Sequence, residues 1–202
     1  MAYSQSKWYT FLWRLFRLIF RICYRWRIEG LDGHVPRKGA AVMCSNHLSL
    51  LDPPLIGSAL TRPIHFMAKE ELFRVPVLSY LLPKIHAFPV KRGQSDMKAI
   101  KTAIQVLRSG ELLGIFPEGT RTKEGAEGEA QEGAVFIALK AKTPIIPIAI
   151  VGPYRLFRPI RVVFGEPIDT TVYTNQKIDK AIIAEVTKVM MERIQKLVEQ
   201  HR

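Results

Sequence analysis

The chain has 202 residues, 48% apolar and 24% charged, the balance of one folded domain with a short appendage. That composition excludes a disordered chain, a collagen and a disulfide scaffold. Lys and Arg total 30 against 18 Asp and Glu, a net charge of +12 that favours phosphate esters, nucleic acid or an acidic membrane face as partners.

Residues 1–40 hold eight Lys or Arg against Glu29 and Asp32, half of the net charge in a fifth of the chain. The same stretch carries Trp8, Tyr9, Phe11, Trp13, Phe16, Phe20, Tyr24 and Trp26. Arg14, Arg17, Arg21 and Arg25 are spaced by 3, 4 and 4, which predicts a single stripe on a helix. No apolar run reaches the ~18–20 residues a span needs, and several Arg at bilayer depth would be costly. No small-residue cleavage site follows, so a removed signal peptide is not expected. Residues 1–29 are therefore expected to form an amphipathic helix lying in a membrane interface, with Arg at lipid phosphates and Trp at headgroup depth. A helix packed on the domain with its Arg stripe in water is the alternative, and a tilted span with snorkelling Arg is a third.

Residues 30–202 read as one α/β domain. Residues 40–45 predict a short buried strand ending at Asn46, and Pro53-Pro54 open a helical stretch. Residues 64–68 predict a second strand, residues 70–84 an apolar helical stretch interrupted by Pro76, and residues 87–90 an extended run. Ser95 is the expected N-cap of a helix carrying Met97, Ile100, Ile104 and Leu107, which Gly110 ends. Residues 112–116 predict a strand and residues 123–133 an exposed loop rich in Gly and Glu. A helix over 135–141, strands over 145–151 and 161–164, and a long C-terminal helix complete the pattern. Cys23 and Cys44 match no metal or redox spacing and suit a reducing compartment.

Three features carry chemistry. Asn46-His47-Leu48-Ser49-Leu50-Leu51-Asp52 follows a strand, where α/β proteins place their sites. On a continuous helix His47 and Asp52 would diverge by roughly 140°, so a hydrogen bond between them requires a turn. Asp52 would then hold one ring nitrogen and leave the other free to take a proton from a substrate hydroxyl. Against this stands Asp52 as a plain N-cap before Pro53, with His47 a satisfied polar residue. Ser49 reads as structural. The second feature is Phe116-Pro117-Glu118-Gly119-Thr120-Arg121 after a strand: Gly119 permits close approach, Thr120 and Arg121 can donate to phosphate, and Glu118 can accept from a polyol. A tight turn with a surface Arg is its bland reading. The third is Pro89-Val90-Lys91-Arg92-Gly93, an anion site or a solvated charge pair.

Taken together, residues 30–168 resemble the glycerolipid acyltransferase family, in particular its bacterial lysophosphatidic acid branch. The resemblance rests on four ordered blocks: Asn46-His47 with Asp52; Phe88-Pro89-Val90-Lys91-Arg92; residues 116–121; and Pro144-Ile145-Ile146-Pro147-Ile148. Family members often have Gly where this chain has His86, and a Lys-rich approach where it has Gln131-Glu132. The resemblance implies an α/β fold with a mixed central sheet flanked by helices and a groove for an acyl chain. It implies acyl transfer from a thioester, on acyl-carrier protein or coenzyme A, to the sn-2 hydroxyl of lysophosphatidic acid, giving phosphatidic acid. His47 would be the base and Asp52 its orienter. Lys91, Arg92 and Arg121 would hold the acceptor phosphate with Thr120, and Glu118 and Gly119 would shape the glycerol pocket. Oxyanion donors are expected near residues 116–121 or in the 46–52 turn. No metal or other cofactor and no nucleic acid are implied, and the working place would be the cytoplasmic face of the cell membrane, peripheral or monotopic. The alternatives are another lysolipid or glycerol-3-phosphate as acceptor, or a non-catalytic basic membrane-binding protein.

Overall fold

Short strands that are apolar at nearly every position give a sheet with two buried faces. The computed structural model describes residues 7–91, 96–118, 132–173 and 176–202. Its seven strands are β1 (Arg27–Glu29), β2 (Ala41–Ser45), β3 (Ile64–Lys69), β4 (Ala87–Val90), β5 (Leu112–Ile115), β6 (Ile145–Val151) and β7 (Arg161–Phe164). They lie in the order β1-β7-β6-β2-β5-β3-β4. Every neighbouring pair is parallel except β6 with β7, so the sheet is mixed, as expected.

Period-two alternation assigns the two faces. Ala41 and Met43 of β2 point to a core shared with α1 (Lys7–Cys23) and α3 (Asp52–Ala59). Val42 and Cys44 point to the opposite core, under α5 (Met97–Arg108), α6 (Gly133–Ala141) and α7 (Lys180–Gln200). β2 and β6 are buried along their whole length, as central strands of a covered sheet must be.

Three expectations change in detail. Residues 70–84 split into a 3-10 turn, Glu70–Arg74, and α4, Pro76–Lys84, because Pro76 starts a helix more readily than it continues one. Ser95 lies outside the described residues, and the cap of α5 is Asp96, whose carboxylate accepts from the amides of Lys98 and Ala99. The pairing of β1 with β7 and the short α2 (Leu31–His34) add to the expected elements.

The Arg stripe of α1 is not uniform. Arg17 turns inward, donates to the Ser58 carbonyl at 3.1 Å and lies over the Trp13 and Trp26 rings. Trp13 donates to the Leu60 carbonyl beside it. One face of α1, with Tyr9 and Phe20 buried, packs on the domain. The opposite face leaves Trp8, Phe11, Leu15, Leu18 and Ile22 exposed. No helix among the described residues is long and apolar enough to cross a membrane.

Candidate active site

The chain leaves β2 at Ser45 and turns sharply before α3 begins at Asp52. Within that turn the His47 imidazole donates from Nδ1 to Asp52 Oδ2 at 2.6 Å. The same oxygen accepts the amides of Leu48 at 2.6 Å and Ser49 at 2.8 Å. The other oxygen, Oδ1, accepts the Tyr154 hydroxyl at 2.5 Å. Asp52 is fully buried and His47 is 7% exposed. Four donors around one carboxylate make Asp52 an acceptor throughout, so the ring proton sits on Nδ1 and Nε2 keeps its lone pair. The N-cap reading of Asp52 fails: its carboxylate points back at the 47–49 turn, and α3 starts without a side-chain cap.

The ring is also fixed in its plane. His47 stacks on Phe116 at 4.2 Å, and Phe116 stacks on Phe66 of β3. Gly114 of β5 makes that possible, because a Cβ there would fall inside the Phe66 ring. Asn46 ties the turn to β6 by donating to the Ile150 carbonyl at 3.0 Å and accepting the Ile150 amide at 2.8 Å. Ser49 is structural, as expected, its hydroxyl taking the Leu51 amide and its carbonyl the Asp52 amide.

Two consequences follow for the chemistry. The amides of Leu48, Ser49, Leu51 and Asp52 are all engaged inside the turn, so none of them is an oxyanion donor. Tyr154 is a site residue that the sequence reading missed. It stands 102 positions from Asp52 in a Pro- and Arg-rich segment. Its one signal was its place just beyond the buried strand β6, at Gly152-Pro153-Tyr154. Burial, the Asp52 carboxylate and its hydrogen bond all push the Tyr154 phenol upward, so it remains a donor.

The other predicted residues divide into described and undescribed. Lys91 is exposed just past β4, where its amide donates to Asp96 Oδ2 at 2.9 Å. β4 lies three positions from β2, roughly 14 Å away by strand spacing. Parallel strands bring the ends of β2, β5, β3 and β4 to one edge, so Lys91 shares the dyad's edge without touching it. Glu118 is half-buried past β5. Arg92, Gly119, Thr120 and Arg121 lie outside the described residues, as does most of the 123–133 loop. No cluster of three or more metal-ligating side chains occurs among the described residues.

The family model described as Acyltransferase matches residues 27–151, from β1 to the end of β6. The chain belongs to this acyltransferase family. It is 36% identical over 170 residues to the 1-acyl-sn-glycerol-3-phosphate acyltransferase of Bacillus subtilis, covering 81% of this chain and 84% of that one. It is 28% identical over 157 residues to the enzyme of the same name from Borreliella burgdorferi, spanning 62% of that protein. Among solved structures, the 1-acyl-sn-glycerophosphate (LPA) acyltransferase PlsC of Thermotoga maritima superposes with a TM-score of 0.73 at 24% identity. That match covers 98% of this chain and 80% of the other, and it establishes a shared fold. The acyltransferase family match spans the turn that holds His47 and Asp52, together with Phe116, but ends before Tyr154.

Proposed function

We propose that this acyltransferase moves a fatty acyl group from a thioester, carried by acyl-carrier protein or coenzyme A, to the sn-2 hydroxyl of lysophosphatidic acid. The observation that carries the reading is His47 held end-on by a buried Asp52, with Nε2 left to accept and Ser49 committed to the turn. A base without its own nucleophile suits direct activation of a substrate hydroxyl. His47 Nε2 takes the hydroxyl proton as the oxygen attacks the thioester carbonyl. The tetrahedral intermediate expels the thiolate, which takes the proton back from His47. Asp52 stabilises the imidazolium between these steps. Lys91, Arg92, Thr120 and Arg121 would hold the acceptor phosphate, and Glu118 and Gly119 the glycerol. The oxyanion donors would come from residues 116–121 or from the amides of the 46–52 turn other than those of Leu48, Ser49, Leu51 and Asp52.

An apolar pocket between α1 and α3 supports an acyl substrate. It is lined by Tyr9, Leu12, Phe16, Pro53, Pro54 and Phe66. Pro53 follows Asp52 directly, and Phe66 reaches His47 through Phe116, so the pocket wall is joined to the dyad by the chain and by one intervening ring. A hydrocarbon chain of a thioester would lie there with its carbonyl near Nε2. The exposed apolar face of α1, with Arg14 and Arg21 on it, suits a protein working at the cytoplasmic face of a membrane, peripheral or monotopic. The Bacillus subtilis relative's name points to the same acceptor.

The deciding experiment is acyl transfer to lysophosphatidic acid by the purified chain, wild type beside His47→Ala, with each thioester donor. Phosphatidic acid formed by the wild type alone is expected. Folded wild type that makes none with either donor, yet acylates glycerol-3-phosphate or another lysolipid, would reassign the acceptor.

A further inference from the structure

We propose that the turn at residues 155–158 is a second membrane-inserting tip, placed against α1 and set on anionic lipid. The inference deepens the membrane-surface reading above and rests on it. Arg158 donates its amide to the Arg155 carbonyl at 3.0 Å, closing a β-turn with Leu156 and Phe157 at its corner. Phe157 has a φ of +62°, the third-position geometry of a type II turn, where glycine is the usual residue. Surface turns are commonly built from Gly, Pro, Asn, Asp and Ser, which meet such angles cheaply and suit water. Here the corner holds two large apolar side chains, 62% and 61% exposed. A bulky aromatic kept in a strained conformation with its ring in water marks a functional position.

The tip does not stand alone. The Phe157 amide donates to the Cys23 carbonyl at the end of α1, at 2.6 Å, and the Ile160 amide donates to the Tyr24 carbonyl. These bonds fix the turn to the C-terminal end of α1, the helix whose outer face exposes Leu18 and Ile22. Arg155 and Arg158 flank the apolar pair, and Arg21 and Arg25 are exposed nearby on the α1 side. An apolar wedge flanked by two cations, tied to the end of a helix that exposes two more, matches an anionic bilayer, with Leu and Phe among acyl chains and Arg at phosphates. An acidic carrier protein would match the cations but not the wedge. The same segment begins at Tyr154, whose hydroxyl holds Asp52. Contact of the tip with the leaflet would therefore set the active site at a fixed height above it.

The test uses the full chain and vesicles of phosphatidylcholine with phosphatidylglycerol. Leu156→Asp/Phe157→Asp should weaken vesicle binding by about tenfold or more, and lower transfer to vesicle-borne lysophosphatidic acid by a similar factor. Transfer to a monomeric short-chain lysophosphatidic acid in solution should stay within about twofold. Val172→Asp, an exposed apolar residue elsewhere, is the control and should change neither. Arg155→Glu/Arg158→Glu reads the same contact through charge: its loss of binding should grow with the phosphatidylglycerol fraction. Vesicle binding unchanged in both double variants would overturn the proposal. So would variants that bind vesicles normally but lose acyl-carrier protein. A wild type inactive on both acceptors would sink the proposed reaction, while vesicle binding would still judge the tip.

Discussion

Two histidine regions of this molecule share burial and ring stacking but differ in chemistry. His47 lies flat on Phe116 and is gripped end-on by Asp52. His65 lies flat on His86, which lies flat on Tyr9 of α1, a three-ring stack with spacings of 4.8 and 4.9 Å. Burial, with the neighbouring His86, pushes His65 down to about 4, and burial lowers His86 as well. Those two rings stay neutral and serve as packing between the sheet and α1. Neither burial nor an aromatic neighbour makes a histidine a base. In the proposed reaction the carboxylate at Nδ1 would do so, by fixing the tautomer and favouring the cation formed during transfer.

The largest effects should come from breaking the grip on His47. His47→Ala should cut turnover by roughly 10^2–10^4-fold in a protein that still folds, with a lower melting temperature because Asp52 loses one of its four donors. Asp52→Asn should cost a similar factor while still folding: its amide oxygen can keep the His47, Leu48 and Ser49 donors, and its NH2 can donate to a rotated Tyr154 hydroxyl. Asp52→Ala strands those buried donors and should also lose stability, at about 1–3 kcal/mol for each one unsatisfied. An unstable Asp52→Asn, measured by thermal melting beside activity, would mean the four-donor geometry is wrong.

Tyr154→Phe comes next. Losing one hydrogen bond to a charged group predicts about a 10- to 100-fold fall in kcat, with the acceptor KM unchanged. Tyr154 acts through Asp52, so the two effects should not multiply: in an Asp52→Ala background Tyr154→Phe should do little. A full additional loss there would show that Tyr154 acts on the substrate directly.

The dyad was legible in the sequence because five-residue spacing after a strand leaves a turn as the only way to join His47 and Asp52. The central strands β2 and β6 were legible as continuous apolar runs. Tyr154 was not, since no local pattern links positions 102 apart; only the parallel pairing of β6 with β2, which ends both strands at one edge, brings it to Asp52. The inward turn of Arg17 was equally hidden, because helical spacing puts it with Arg14 and Arg21 and only the Ser58 carbonyl pulls it away. β1 is three residues long and has no period to read.

The stacked pair should reveal itself through stability rather than rate. The unfolded chain binds protons at His65 near its ordinary value of 6.5, whereas the folded chain binds there only near 4. Between those values the unfolded state holds more protons, so stability falls as pH drops from about 6.5 to 4, and His86 adds in the same direction. Thermal unfolding at pH 7 and pH 5 should show the drop, and His65→Phe, which keeps a flat ring, should reduce it. An identical drop in that variant would assign the acid sensitivity elsewhere.

The smallest effect sharpens the contrast most. His86 has a φ of +62°, in the left-handed region that favours Gly. A side chain in that conformation costs about 1–2 kcal/mol, and the stacking of His86 between Tyr9 and His65 offsets it. His86→Ala keeps the strain and loses the stack, whereas His86→Gly loses both. Glycine's greater freedom in the unfolded chain takes back ~0.5–1 kcal/mol. The Gly variant should therefore be the more stable of the two by about 0.5–1 kcal/mol in urea unfolding. An Ala variant as stable as the Gly variant would remove the strain argument. Both should keep turnover within a few-fold of wild type, against the collapse expected of His47→Ala, because His86 stands in the Tyr9–His65 stack and not in the His47–Asp52 pair.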